Sequence, residues 1–211
     1  MNTNELINLL TEDAPVRGRL GRVLAIALTA GVAVSAAILL STLGIRHDIG
    51  NAIETVRVLF KLGLTLALAI LASIVVFRIG RPGVSLRSGA LALLIPLFLL
   101  IAAVAIEFFA LPSALWRSQM MGHNAAFCLT FIPLLSLPPL IGFLLALRSG
   151  APQRPALAGA AAGLAAGSIA AALYAWHCID DSPLFIATWY TIAIAAVSAI
   201  GAGIGGRYLR W

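Results

Sequence analysis

Charge is scarce in this chain: only 10% of its 211 residues are Asp, Glu, Lys or Arg, against 61% hydrophobic. That shortage excludes a soluble domain of this size, which could not hide so much apolar surface from water. Cysteine is nearly absent. Cys128 and Cys178 stand alone, in neither a CxxC nor a zinc-type spacing. Catalytic signatures are missing too: no P-loop, no HExxH, no GxSxG and no dinucleotide fingerprint. The chain therefore reads as a non-enzyme. The formal charge is +6, yet the basic residues are scattered singly, with no stripe interleaved with aromatics. That excludes a nucleic-acid groove. No spaced proton relay or ring of charge is visible, and no larger repeat supports an inverted-repeat transporter.

What is present is hydrocarbon in lengths suited to a bilayer, which a helix crosses with about 20 apolar residues. Six such stretches lie at about 23–44, 58–77, 89–111, 124–147, 156–176 and 184–206. The expected fold is all-α, a polytopic six-transmembrane-helix bundle over 23–211, preceded by a cytoplasmic segment, 1–22. The first run exceeds the roughly 7–15 residues of a signal-peptide core and reads as a retained helix. Gly and Pro punctuate the linkers. Of fourteen cationic residues, ten (Arg17, Arg19, Arg22, Arg78, Arg81, Arg87, Arg148, Arg154, Arg207 and Arg210) fall on the side of the termini. Arg46, Arg57, Lys61 and Arg117 fall on the other. The positive-inside rule places both termini in the cytoplasm of a multi-pass inner-membrane protein. Trp116, Trp176 and Trp189 would form an aromatic belt on the opposite face.

At the N-terminus, Asn2 precedes Glu5 at capping-box spacing, Leu6, Leu9 and Leu10 share one helical face, and Pro15 ends the pattern. The pattern predicts a short amphipathic helix from about Thr3 to Asp13. Its apolar face suits either a membrane interface or a protein partner. Glu5, Glu12 and Asp13 weigh against anionic headgroups.

The outer face collects both thiols and most metal-type ligands. Cys128 lies near the outer end of the fourth span and Cys178 in the fifth-to-sixth loop, with His123, His177, Asp180, Asp181 and Glu107 around them. A reversible redox pair and a soft-metal site compete. A structural disulfide and small buried thiols are the blander readings. On a straight helix His123 and Cys128 point about 140° apart, so a site using both needs a non-helical start to the span. Pro133, Pro138 and Pro139 lie inside the fourth span, where proline kinks a helix. A kink just inside Cys128 is either static or a coupling of thiol state to the inner half. Lys61 and Glu107 sit in apolar stretches near the outer edge, where snorkelling or mutual pairing is expected. Gly159, Gly163 and Gly167, with Gly201 and Gly205, recur every four residues and suit close helix packing, within one chain rather than between two.

Three segments carry a family resemblance: TNELINLL at 3–10, GHNAAFCLTFIPLLSLPPL at 122–140 and WHCIDDSPLFIATWYTI at 176–192. Together they resemble the NrsF family of membrane-bound anti-sigma factors, negative regulators of an extracytoplasmic-function sigma factor. The likeness runs the length of the chain. It implies a protein that holds such a sigma factor inactive until heavy metal or oxidant is sensed outside. It implies that Cys128 and Cys178 are the sensor thiols, with no resident cofactor. Transient heavy-metal binding at the two thiols stays open, with His123, His177, Asp180 and Asp181 as accessory ligands. The Leu6, Leu9 and Leu10 face is the expected sigma contact, and the loop arginines are a second choice. A small membrane thiol oxidoreductase or transporter using the same thiols is the alternative. A transporter would move a substrate in vesicles, whereas an anti-sigma factor would not.

Overall fold

The computed structural model describes residues 5, 17–81, 84, 87–150 and 152–210. The expected N-terminal helix, with Leu6, Leu9 and Leu10, lies outside them apart from Glu5, which is helical. Among the described residues six helices are long and apolar enough to cross a membrane. They are numbered α1 (Arg17–Thr42), α2 (Val56–Ile79), α3 (Arg87–Ala110, with a break at Leu93), α4 (Ala125–Arg148), α5 (Pro155–Tyr174) and α6 (Pro183–Tyr208). Each overlaps one of the six apolar stretches, with ends up to six residues apart. No strand occurs among the described residues. The chain alternates between two ends of the bundle, one carrying Arg17 and Arg210 and the other carrying the cysteines.

Two details were not expected. A separate helix, Ser113–Met121, precedes α4 and buries none of its residues. Trp116 holds it down, packing edge-on against Phe108 with ring centroids 4.7 Å apart and donating to the Leu111 carbonyl at 3.1 Å. Its end is set by Gly122 at φ +53, where a Cβ would lie 2.5 Å from the Phe185 ring and 2.8 Å from the Asp180 carboxyl carbon. Glycine alone relieves both the strained backbone and the collision. The second detail is a π-helical turn, Ile186–Tyr190, in the first half of α6.

Helix α5 is the centre of the bundle, packing on α2, α4 and α6, with α1 laid against α4. Its Ala and Gly composition makes this possible, because small side chains let several backbones approach one helix. Closest is the crossing with α6. A Cβ on Gly159 would fall 2.1 Å from the Gly201 carbonyl oxygen, one on Gly201 2.4 Å from the Gly159 carbonyl oxygen, and one on Gly205 2.6 Å from the Gly159 Cα. The glycine repeat thus serves contact within the chain. Helix α3 is the opposite case, with Leu97, Phe98, Ile101, Ile106 and Phe109 all exposed.

Helix α4 runs unbroken through Pro133, Pro138 and Pro139. Pro139 lacks the N–H that would bond the Leu135 carbonyl one turn earlier. Ser35 of α1 replaces it, donating to that carbonyl at 2.7 Å, while Gly31 lets α1 approach so closely that a Cβ would meet Pro139 Cα at 2.6 Å. Ser35→Ala should therefore cost about 1–2 kcal/mol, the penalty of a buried carbonyl without a donor. In a Pro139→Ala background the cost should shrink, since α4 then satisfies Leu135 itself. Equal costs in both backgrounds, by thermal unfolding in detergent, would refute this pairing.

Candidate functional site: a buried thiol pair under a clamped loop

The loop between α5 and α6, residues 175–182, carries Cys178 and is tied to every neighbouring segment. From the α1–α2 connection, Arg46 donates its backbone N–H to the Trp176 carbonyl at 3.1 Å. Its guanidinium reaches Asp181 at 2.8 Å and the Cys178 carbonyl at 3.4 Å, and also grips Asp48 at 2.7 Å. The bond to Asp48 leads in raising the Arg46 pKa, burial opposes it and Asp181 adds to it. The same bond draws Asp48 down to about 2. From α2, Lys61 is fully buried; it donates to the Cys178 carbonyl at 2.6 Å and pairs with Asp181. From α3, Glu107 accepts from the Ser182 hydroxyl at 2.9 Å and the Leu184 N–H at 3.1 Å, placing a carboxylate at the start of α6 where the helix dipole favours it. Ahead of α4, the backbone N–H groups of His123 and Asn124 donate to Asp180 at 3.1 and 2.8 Å.

Under this loop lie the two cysteines. Cys128 comes from the first turn of α4 and Cys178 from the loop; both are free thiols and neither is exposed. Both belong to one buried cluster, and the Cys178 thiol donates to the Asp180 carbonyl at 3.8 Å. Tyr174, Phe185, Tyr190 and Ile132 enclose them. The Tyr174 and Tyr190 hydroxyls are buried in the same cluster without a hydrogen-bond partner. The neighbouring Cys128 thiol holds the Cys178 thiol below the usual thiol range. Burial opposes that shift, and the Lys61 ammonium supports it. Outside the loop a polar cleft of about 510 Å³, lined in part by Arg57, Gln119, His123 and Asp180, opens to the surface.

The accessory ligands expected from the sequence gather at this end but do not converge. The His123 side chain is 88% exposed and only 3.6 Å from Asp180 at its Nδ1. The non-helical start that a site using both His123 and Cys128 would need is present at Gly122–Asn124, yet His123 faces outward. His177 Nδ1 donates to the Gly44 carbonyl at 3.1 Å, which fixes its tautomer because a carbonyl only accepts. Asp180 and Asp181 are engaged as above. Among the described residues no three His, Cys, Asp or Glu side chains form a group able to hold a metal ion. The expected Lys61–Glu107 pair is replaced: Lys61 turns to Asp181, and Glu107 meets Arg57 at 3.1 Å. Glu107 is already occupied by the start of α6, so Lys61 takes the carboxylate nearest its own end of the loop.

Residues 9–211 match the family described as NrsF, negative regulator of sigma F. The chain belongs to the NrsF family. A relative from Azospira oryzae, the probable anti-sigma-F factor NrsF, is 31% identical over the whole of both chains. The anti-sigma-F factor NrsF of Caulobacter vibrioides is 34% identical, again over the whole of both. No solved structure matches significantly. For this NrsF-family chain, sequence reasoning placed the thiols on one side but missed what holds them. Lys61 was visible as a charge in an apolar run. Arg46 was counted only as a loop cation, and Tyr174 and Tyr190 carried no signal beyond hydrophobicity.

Proposed function

We propose that the chain is a multi-pass inner-membrane anti-sigma factor with both termini in the cytoplasm. It holds an extracytoplasmic-function sigma factor there and releases it when Cys128 and Cys178 respond to oxidant or heavy metal outside. Full-length likeness to proteins named anti-sigma-F factors supports the regulatory role. Six long apolar helices and the arginine asymmetry support the membrane placement. The observation that carries the sensor is the placement of two thiols from different segments in one buried cluster beneath a loop clamped by charge.

The chemistry follows from that placement. A peroxide that reaches the pair takes two electrons and two protons from the two thiols. A disulfide forms and the peroxide leaves as water. A thiophilic cation would instead displace the two protons and bridge the sulfurs. Either event moves Cys178 relative to Lys61 and Arg46 and draws on the first turn of α4, whose other end lies at the cytoplasmic face. Partner binding falls to the N-terminal face of Leu6, Leu9 and Leu10, as an amphipathic helix in a groove. Burial of both sulfurs argues against thiol exchange with a protein substrate.

Two measurements test this reading. The Cys128→Ser, Cys178→Ser double variant should retain the sigma factor, with the stress-induced rise in sigma-dependent transcription reduced to about one, because a trigger without differential contacts shifts no equilibrium. A normal stress response in that variant rejects the sensor. Deleting residues 1–15 should abolish co-purification of the sigma factor; intact capture rejects the N-terminal assignment.

A further inference from the structure

Helices α1 and α2 follow one another in the chain and both pack on α5, yet they do not form a packed pair. Between them lies a groove of about 790 Å³. Leu28 and Val32 form one wall, Ile70 and Ile74 the other, and Ala172 with Leu173 the floor. Leu66 and Ile70 are exposed along its open side. At the end nearest the termini the lining changes to Arg78 and Arg81. The Arg81 guanidinium crosses the mouth toward α1, where a Cβ on Gly21 would meet its Nη2 at 3.4 Å. Arg78 donates to the Ser88 hydroxyl. Among the described residues neither arginine meets a carboxylate; the ion pairs formed by arginine and lysine lie at the cysteine end.

From this juxtaposition we infer that the groove binds an anionic phospholipid of the cytoplasmic leaflet, with the phosphate on Arg78 and Arg81 and one acyl chain between α1 and α2. The inference rests on the membrane placement proposed above. Length supports it: Leu66 to Arg78 covers about 18 Å of helix, close to one leaflet of a hydrocarbon core about 30 Å thick. Chemistry supports it too. Guanidinium groups bind phosphate through paired N–H donors, and the cytoplasmic leaflet is the one rich in anionic lipid. The volume falls within the roughly 300–1,000 Å³ of ordinary ligand sites. A groove whose charged groups both lie at one end fits an amphiphile aligned with the helices, not a soluble metabolite.

The test is native mass spectrometry of the full chain from mild detergent, titrated with phosphatidylglycerol, phosphatidylcholine and inorganic phosphate. Phosphatidylglycerol should be retained in preference to phosphatidylcholine. The Arg78→Gln, Arg81→Gln variant should weaken its retention at least about tenfold, each cation near an anionic headgroup contributing roughly fivefold. Thr29→Trp, which narrows the groove from an exposed position without altering charge, should weaken it as well. Arg154→Gln with Arg210→Gln removes the same charge elsewhere and should leave it unchanged. Equal retention of both lipids, full competition by inorganic phosphate, or no effect of the Arg78 and Arg81 changes would overturn the site. So would lipid binding that appears only after residues 1–16 are deleted, or only as a second copy of the chain dissociates. Alkaline carbonate extraction separates the two readings. Release into the supernatant sinks the membrane placement itself, whereas membrane-integrated protein without selective lipid sinks only the groove.

Discussion

Asp181→Ala is expected to destabilise the protein by about 3–5 kcal/mol, the usual consequence of removing one partner from a buried ion pair. Lys61 has no exposed surface, and after the substitution its ammonium would keep only the carbonyls of Cys178 at 2.6 Å and Asp180 at 3.4 Å. Two carbonyl dipoles do not neutralise a cation held away from water. The reverse change, Lys61→Met, should cost less. Asp181 would retain Arg46 at 2.8 Å, and methionine fills the space with apolar volume. Thermal unfolding of the purified protein in detergent measures both. The order matters more than the size: if Lys61→Met proves the more damaging, Asp181 depends on Lys61 rather than on Arg46, and the clamp is wrongly described. Both variants should also expose Cys178 to maleimide labelling before global unfolding, because each loosens the loop that covers it.

Gly159→Ala and Gly201→Ala should be comparably severe, although each adds a single methyl group. The new carbon would lie 2.1 Å or 2.4 Å from a backbone oxygen of the facing helix, and neither oxygen can rotate aside as a side chain would. The crossing of α5 and α6 must open, and overpacking of this kind costs about 1–3 kcal/mol or more. Gly203→Ala on the same helix meets nothing within 4 Å and should be neutral or slightly stabilising, since alanine is the better helix former. A chemical-denaturation series on these three variants checks the assignment. Equal tolerance at all three positions would mean that α5 and α6 do not cross where the glycines lie.

The cysteine end was only partly legible beforehand. Alternation of apolar runs with arginine-bearing linkers was enough to put Cys128, Cys178, His123, His177, Asp180 and Asp181 on one side, because connectivity between spanning helices permits only two sides. That reasoning has a resolution of one bundle end. It could not tell the inward-facing Cys128 from the outward-facing His123, since the bearing of each depends on where Gly122 breaks the helix. Nor could it choose among the carboxylates competing for Lys61. That choice belongs to distances across α2, α3 and the last loop. Ser35 was invisible for a similar reason: a serine in an apolar helix matters only when Pro139 of another helix leaves a carbonyl facing it.

By itself, the sequence determined the number of long helices, their order, and which residues share an end of the bundle. These are properties of hydrophobic run length and charge placement along a single line. It also located the glycines that permit a close crossing. Only the tertiary structure decided which helix α5 meets through them, that the two thiols are buried in one cluster, and that the loop above them is held by Arg46, Lys61 and Glu107. Those are pairings between distant segments, set by packing small residues closely and leaving no buried charge without a counter-charge. A linear pattern restricts such pairings without choosing among them.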